Sequence, residues 1–119
     1  MDVSIITAVD PSRADHLDAT AASVSSALRL LERRGLAGEW VLTVDGTDHL
    51  PNVPPPAQSE ILPWSIGVSD ARSHALANAR GRWIYPLDAD DLVAPEGLCH
   101  IVSYAAESTY EGWIEGVVS

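Results

Sequence analysis

The sequence predicts an α/β fold, a mostly parallel sheet flanked by helices. Three observations lead there. Short β-rich runs (Val3-Ser4-Ile5-Ile6-Thr7, Trp40-Val41-Leu42-Thr43-Val44 and Trp83-Ile84-Tyr85-Pro86-Leu87) alternate with stretches of helical period. These runs are apolar at nearly every position, as strands covered on both faces are. The predicted order, β-α-β-β-α-β-α-β, joins most strands by crossovers rather than hairpins.

The first strand covers residues 3–7 and is broken by Asp10-Pro11-Ser12. From Arg13 to Arg34, Leu17, Ala21, Val24, Leu28 and Leu31 recur at steps of four and three, which is one face of an amphipathic helix. Asp15 and Asp18 stand early in it and Arg29, Arg33 and Arg34 late, as the helix dipole favours, and Gly35 is a stop signal. The second strand, 40–44, closes at Asp45-Gly46. Pro51 and the run Pro54-Pro55-Pro56 make the next connection stiff and irregular, with no evident helix. Glu60-Ile61-Leu62 is a weak third strand whose pairing Pro63 limits. Ser69 is the expected N-cap of a helix over 70–80, with Ala71, Ala75, Leu76 and Ala79 inward and Gly81 after it. Pro95 starts a third helix running to about Glu107, with Leu98, Ile101, Val102 and Ala105 inward. Residues 113–118 form a final strand.

Residues 1–119 make one domain, with no internal boundary or repeat. A net charge of -10 argues against a nucleic-acid or anionic-membrane partner met through a broad basic face. All seven basic residues are Arg, so lysine-dependent chemistry is excluded. Cys99 is the single cysteine and is expected inside a helix, which rules out an internal disulfide or a Cys-rich metal site. No apolar run reaches membrane length and no signal peptide precedes the first strand, so a cytoplasmic location is the expectation.

Ligands of open parallel sheets bind beyond the carboxyl ends of the strands. Polar residues gather at those ends: Thr7 to Asp10 after the first strand, Asp45 after the second, and Asp88, Asp90 and Asp91 after the fourth. Three carboxylates within four residues repel one another unless a cation sits among them, and hard oxygen ligands suit Mg²⁺ or Mn²⁺. The alternative is a strand end and turn that cap the next helix. Arg72, in the first turn of its helix, suits phosphate oxygens; its alternative is an ion pair with an aspartate. His16, His49, His74 and His100 share no metal-ligand spacing and are expected at the surface or in packing. No G-x-G-x-x-G, Walker lysine loop or G-x-S-x-G elbow is present.

These residues resemble the family-2 glycosyltransferases. The resemblance runs through Val3–Thr7, Leu17–Val24 and Glu39–Gly46. It is strongest at Gly67-Val68-Ser69-Asp70-Ala71-Arg72 and over Ala79-Arg80-Gly81-Arg82-Trp83-Ile84-Tyr85-Pro86-Leu87-Asp88-Ala89-Asp90-Asp91, with Pro95 following. Two positions depart from the family pattern: Val44 precedes a single Asp45 where members often carry two adjacent acids, and Ser73 replaces the usual Asn.

The resemblance implies a Rossmann-like GT-A fold, truncated, and a nucleotide-sugar donor, commonly a UDP-sugar, with inverting hexosyl transfer to an unknown acceptor. By the same match Thr7 and Asp45 hold the base, Arg72 approaches the diphosphate, and Asp88 serves the sugar side. Asp90 holds the divalent cation, Mn²⁺ or Mg²⁺, with Asp88, while Asp91 supports the metal or caps the next helix. The chain reads as the nucleotide-binding half of such an enzyme, without the acceptor half or a nameable general base, so the isolated chain is expected to be weakly active or inactive. Two other classes compete. A non-catalytic interaction module would keep the fold and self-associate through an uncovered edge, and a homo-oligomer is expected. A phosphoacceptor receiver domain would require a lysine that this chain lacks.

Overall fold

The computed structural model describes residues 1–47, 57–106 and 112–113. Among the described residues five strands form one parallel sheet: β1 (Val3–Val9), β2 (Gly38–Val44), β3 (Gln58–Ile61), β4 (Trp83–Pro86) and the two-residue β5 (Gly112–Trp113). The order is β3-β2-β1-β4-β5. Among the same residues three helices cover it: α1 (Leu17–Arg33), α2 (Val68–Asn78) and α3 (Pro95–Ala106). The fold class is the one expected. The strand order is that of a dinucleotide-binding sheet and differs from the 2-1-3-4-5 order of receiver-like folds.

Alternation along the strands assigns the two faces. Val3, Ile5 and Val9 of β1 and Trp40, Leu42 and Val44 of β2 join Leu17, Val24, Leu31, Leu98 and Val102 in the larger core, beneath α1 and α3. Ile6 and Val41 pack on Ala75, and Ala8 on Ala71, so α2 covers the opposite face. The alanines of α2 let that helix lie close to the sheet. Cys99 is buried, as expected. Leu76, expected inward, is 37% exposed: α2 buries only Ala71 and Ala75 completely, a stripe too narrow to include it.

Several boundaries differ from the sequence reading. The segment before α1 is not α-helical: Pro11–His16 forms a 3₁₀ helix, opened by Asp10, whose carboxylate accepts from the Ser12 amide at 3.0 Å. Helix α2 begins at Val68 with Gly67 as its N-cap, so Ser69 is not the cap. Strand β3 starts two residues earlier than expected, in parallel register with β2, Val44 opposite Ile61. Pro51, Pro54 to Pro56, His49 and the expected strand residues 114–118 lie outside the described residues. Among the described residues, no helix is long and apolar enough to cross a membrane.

At the amino-terminal edge of the sheet a buried carboxylate ties three segments together. Glu39 of β2 is 5% exposed. It accepts from Ser4 Oγ at 2.5 Å, from the Arg80 amide at 2.7 Å, and from the Arg80 guanidinium at 3.1 and 3.2 Å. Ser4 Oγ in turn accepts from the Gly81 amide at 2.8 Å. A Cβ on Gly81 would lie 2.5 Å from Ser4 N and 2.6 Å from Val3 C, so only glycine lets the chain cross β1 so closely. Burial pushes the Glu39 carboxyl up, but hydrogen bonds from Ser4 and Arg80 and the charge of Arg80 outweigh it, and the net shift is downward.

A lowered folded-state pKa stabilises the protein above the free-glutamate value of about 4.3, and that contribution is lost as pH falls through the lower folded value. Glu39→Gln is therefore expected to cost about 2–4 kcal/mol in urea unfolding at pH 7, and the gap to wild type should close towards pH 3. Gly81→Ala should destabilise by more than about 2 kcal/mol at every pH, because its clash is with backbone.

Candidate functional site

The sheet order reverses direction at β1, since the chain moves outward through β2 and β3 and returns through α2 to β4. Such a switch point opens a crevice at the carboxyl ends of the two central strands. A cavity of about 410 Å³ lies there, lined by Val9 at the end of β1, by Asp10, Ser12 and His16 after it, by Val68 at the start of α2, and by Asp88 and Asp90 after β4. A depression of similar size between α1 and the start of β2, lined by Leu28, Arg29, Glu32 and Gly38, lies away from the carboxyl ends of the strands and gathers no comparable chemistry.

The acids are not on the strand itself. The last ladder bond runs from the Leu87 amide to Ile6 O at 2.9 Å, and the chain then turns, with the Asp91 amide bonding Asp88 O at 3.1 Å. This turn, rather than strand alternation, collects the three side chains. Asp88, Asp90 and Asp91 each offer a carboxylate oxygen, and these oxygens lie within 4.8 Å of one another. Asp88 and Asp90 are exposed and Asp91 is half-buried. Burial, together with the charges of Asp88 and Asp90, holds the Asp91 carboxyl above its ordinary range. Below the turn, the buried Tyr85 phenol is pushed up to about 12 by burial and by Asp91. Three hard oxygen donors crowded at this spacing are a chemical match for Mg²⁺ or Mn²⁺, which would relieve the repulsion.

Arg72 reaches this group from α2, with Nη2 2.9 Å from Asp88 Oδ1. Both side chains are substantially exposed, at 40% and 60%, so the contact is a weak tie, worth about 0–1 kcal/mol. The guanidinium is thus held beside Asp88, one of the cavity's lining acids, without being committed there.

Asp45 and Thr7 have other surroundings. Asp45 is 3% exposed. It accepts from the Ile66 amide at 2.8 Å, the Gly67 amide at 3.1 Å and Ser65 Oγ at 3.1 Å. From a distant strand end it holds the two residues that lead into α2, Ile66 and the N-cap Gly67, while the helix itself has no side-chain cap. Gly46, at φ +107°, lets β2 turn closely beside Ser65. Thr7 is fully buried, and its hydroxyl accepts from the Trp40 indole at 3.0 Å. Alternation points Thr7 into the core beneath α1, and residues 8–10 reach the cavity instead. The structure therefore brings Arg72, Asp88, Asp90 and Asp91 together, sets Asp45 behind the α2 entry, and leaves Thr7 out.

Ser12, Asp15 and His16, which the sequence offers only as a strand break, a helix-start acid and a surface or packed histidine, also line the cavity. Their signal was their place immediately after the first strand, where a helical period was expected to begin. His74 pairs with Glu60 at 3.0 Å, away from the acids.

The family model for glycosyl transferase family 2 matches residues 57–116, half of the chain, including α2, β4 and the acid turn. The chain belongs to glycosyl transferase family 2. Its fold is that of S. aureus TarS: 18% identity with a TM-score of 0.68, covering 90% of this chain and 20% of TarS. TarS 1–349 in complex with UDP-GlcNAc gives 18% identity and a TM-score of 0.70, over 90% of this chain and 32% of that one. The chain thus spans about a fifth to a third of the solved structures it matches. No curated protein gives a significant sequence match.

Asp45→Ala would strand two amides at the α2 entry. It is expected to cost about 1–3 kcal/mol in chemical unfolding, with Asp45→Asn recovering part of the loss.

Proposed function

We propose that residues 1–119 act as one nucleotide-sugar-binding unit in metal-dependent glycosyl transfer, with a UDP-sugar as donor. The observation that carries this reading is the switch-point cavity lined by Asp88 and Asp90, with Asp91 in the same acid cluster and Arg72 bonded to Asp88, within the segment that matches the family. The TarS 1–349 complex with UDP-GlcNAc, which shares the fold, supports the choice of donor.

In this proposal Arg72 exchanges its loose contact with Asp88 for two phosphate oxygens of the diphosphate, a geometry the guanidinium fork favours. Asp88, released from Arg72, serves the sugar side. Asp90 holds Mn²⁺ or Mg²⁺ together with Asp88 and Asp91. A cation there would supply positive charge to the departing diphosphate. Asp45 serves the base side indirectly, by fixing residues 65–67 just ahead of Val68, which lines the cavity. The assignment concerns the leaving-group half of an inverting hexosyl transfer; the acceptor and its general base are not assigned.

Titration calorimetry of the chain with UDP and Mn²⁺ tests the reading. Binding is expected with Mn²⁺ and should disappear on chelation and in Asp90→Ala. Arg72→Ala should weaken UDP by about 1.5–3 kcal/mol while leaving Mn²⁺ affinity nearly unchanged. No UDP binding at millimolar concentration in the presence of Mn²⁺ would refute it.

We also propose a homo-oligomer. Among the described residues strand β3 is an edge of the sheet, with Ile61 44% and Trp64 69% exposed at and just beyond its end. Light scattering at micromolar concentration should return at least a dimer mass, and a clean monomer would count against this.

A further inference from the structure

We infer that Thr20 and Ser23 of α1 are positioning residues that set the cation affinity of the acid turn; the inference rests on the metal-binding reading above. Thr20 is fully buried near the start of α1. Its Oγ1 lies 2.8 Å from Ala89 O and 2.8 Å from Asp91 O, so one hydroxyl proton is aimed between two carbonyls of the turn. Ser23, three residues on and on the same helix face, donates to Thr20 O at 2.8 Å and accepts from the Val93 amide at 3.2 Å. Two hydroxyls from one helix thus fasten the backbone of residues 89–93 at both ends.

Neither hydroxyl contacts a carboxylate. Both act on backbone, drawing the carbonyls of residues 89 and 91 towards the buried face of α1 while the side chains of Asp88 and Asp90 are exposed to the cavity. The need for such a clamp follows from charge. Neighbouring carboxylates repel one another, yet a single cation requires their oxygens to stay within a few ångströms of one another. Restraint imposed before the cation arrives removes an ordering cost from binding.

Removing partners of this kind typically weakens metal affinity by about 10–100-fold. In the full chain, Thr20→Val keeps the shape but not the hydroxyl, and Thr20→Ser keeps the hydroxyl. Mn²⁺ affinity measured by calorimetry well below the unfolding temperature is expected to fall about tenfold in Thr20→Val and to stay within about twofold of wild type in Thr20→Ser. Thermal unfolding is recorded alongside, because a purely structural hydroxyl would lower the melting temperature without changing the Mn²⁺ affinity of the folded protein; that outcome overturns the inference. Should Thr20→Val not fold, Ser23→Ala tests the other end of the clamp, and unchanged Mn²⁺ affinity there overturns it equally. A wild-type chain that binds no Mn²⁺ overturns the metal reading and this inference together. A wild type that binds Mn²⁺, with variants that bind as well, overturns the clamp alone.

Discussion

The buried carboxylate of Glu39 is the point from which the rest of the molecule takes its register. It sits in β2, receives Ser4 of β1, and receives the backbone and side chain of Arg80 as the chain leaves α2. Gly81 then crosses β1 at a distance no other residue permits. From there β4 has one alignment available, Val3 opposite Trp83 and Ile6 opposite Pro86. The acid turn begins two residues later, so an interaction at the amino-terminal edge decides where the acids emerge at the other edge. In a parallel sheet such long-range alignment is needed because no hairpin sets the register.

Two kinds of carboxylate coexist in this chain, and environment separates them. Glu39 and Asp45 are buried and surrounded by donors, backbone amides and side chains alike, so each behaves as a fixed internal ligand for the chain itself. Asp88, Asp90 and Asp91 are surrounded largely by one another, with the Arg72 guanidinium as the cation in contact at Asp88. The first kind has its charge already answered and contributes to folding. The second kind has charge in excess and is chemically available to a cation and to whatever that cation carries.

At 18% identity the chain keeps the TarS fold over 90% of its length. That is reasonable for an architecture held by backbone ladders, alternating burial and a few buried polar ties, since many apolar side chains satisfy the same core. The positions with little latitude are of another sort: Gly81 against β1, Gly46 beside Ser65, Glu39, Asp45, and the hydroxyls beneath the acid turn.

The alternation of apolar runs with helical periods, read along the chain alone, determined the parallel α/β class, the helix and strand order, and the placement of Arg72 and the three acids at one edge of the sheet. Those are consequences of local periodicity and of strand direction, and both are written in consecutive residues. Tertiary structure alone decided what the polar side chains do. Thr7 looks like any polar residue at a strand end until Trp40, 33 residues away, takes its hydroxyl. Asp45 resembles a free acid until residues 65–67 fold onto it, and Thr20 resembles an ordinary helix residue until Ala89, 69 residues on, presents its carbonyl. A hydrogen-bond partner so distant leaves no periodic trace, because it is chosen by the packing of whole elements and not by the residues on either side.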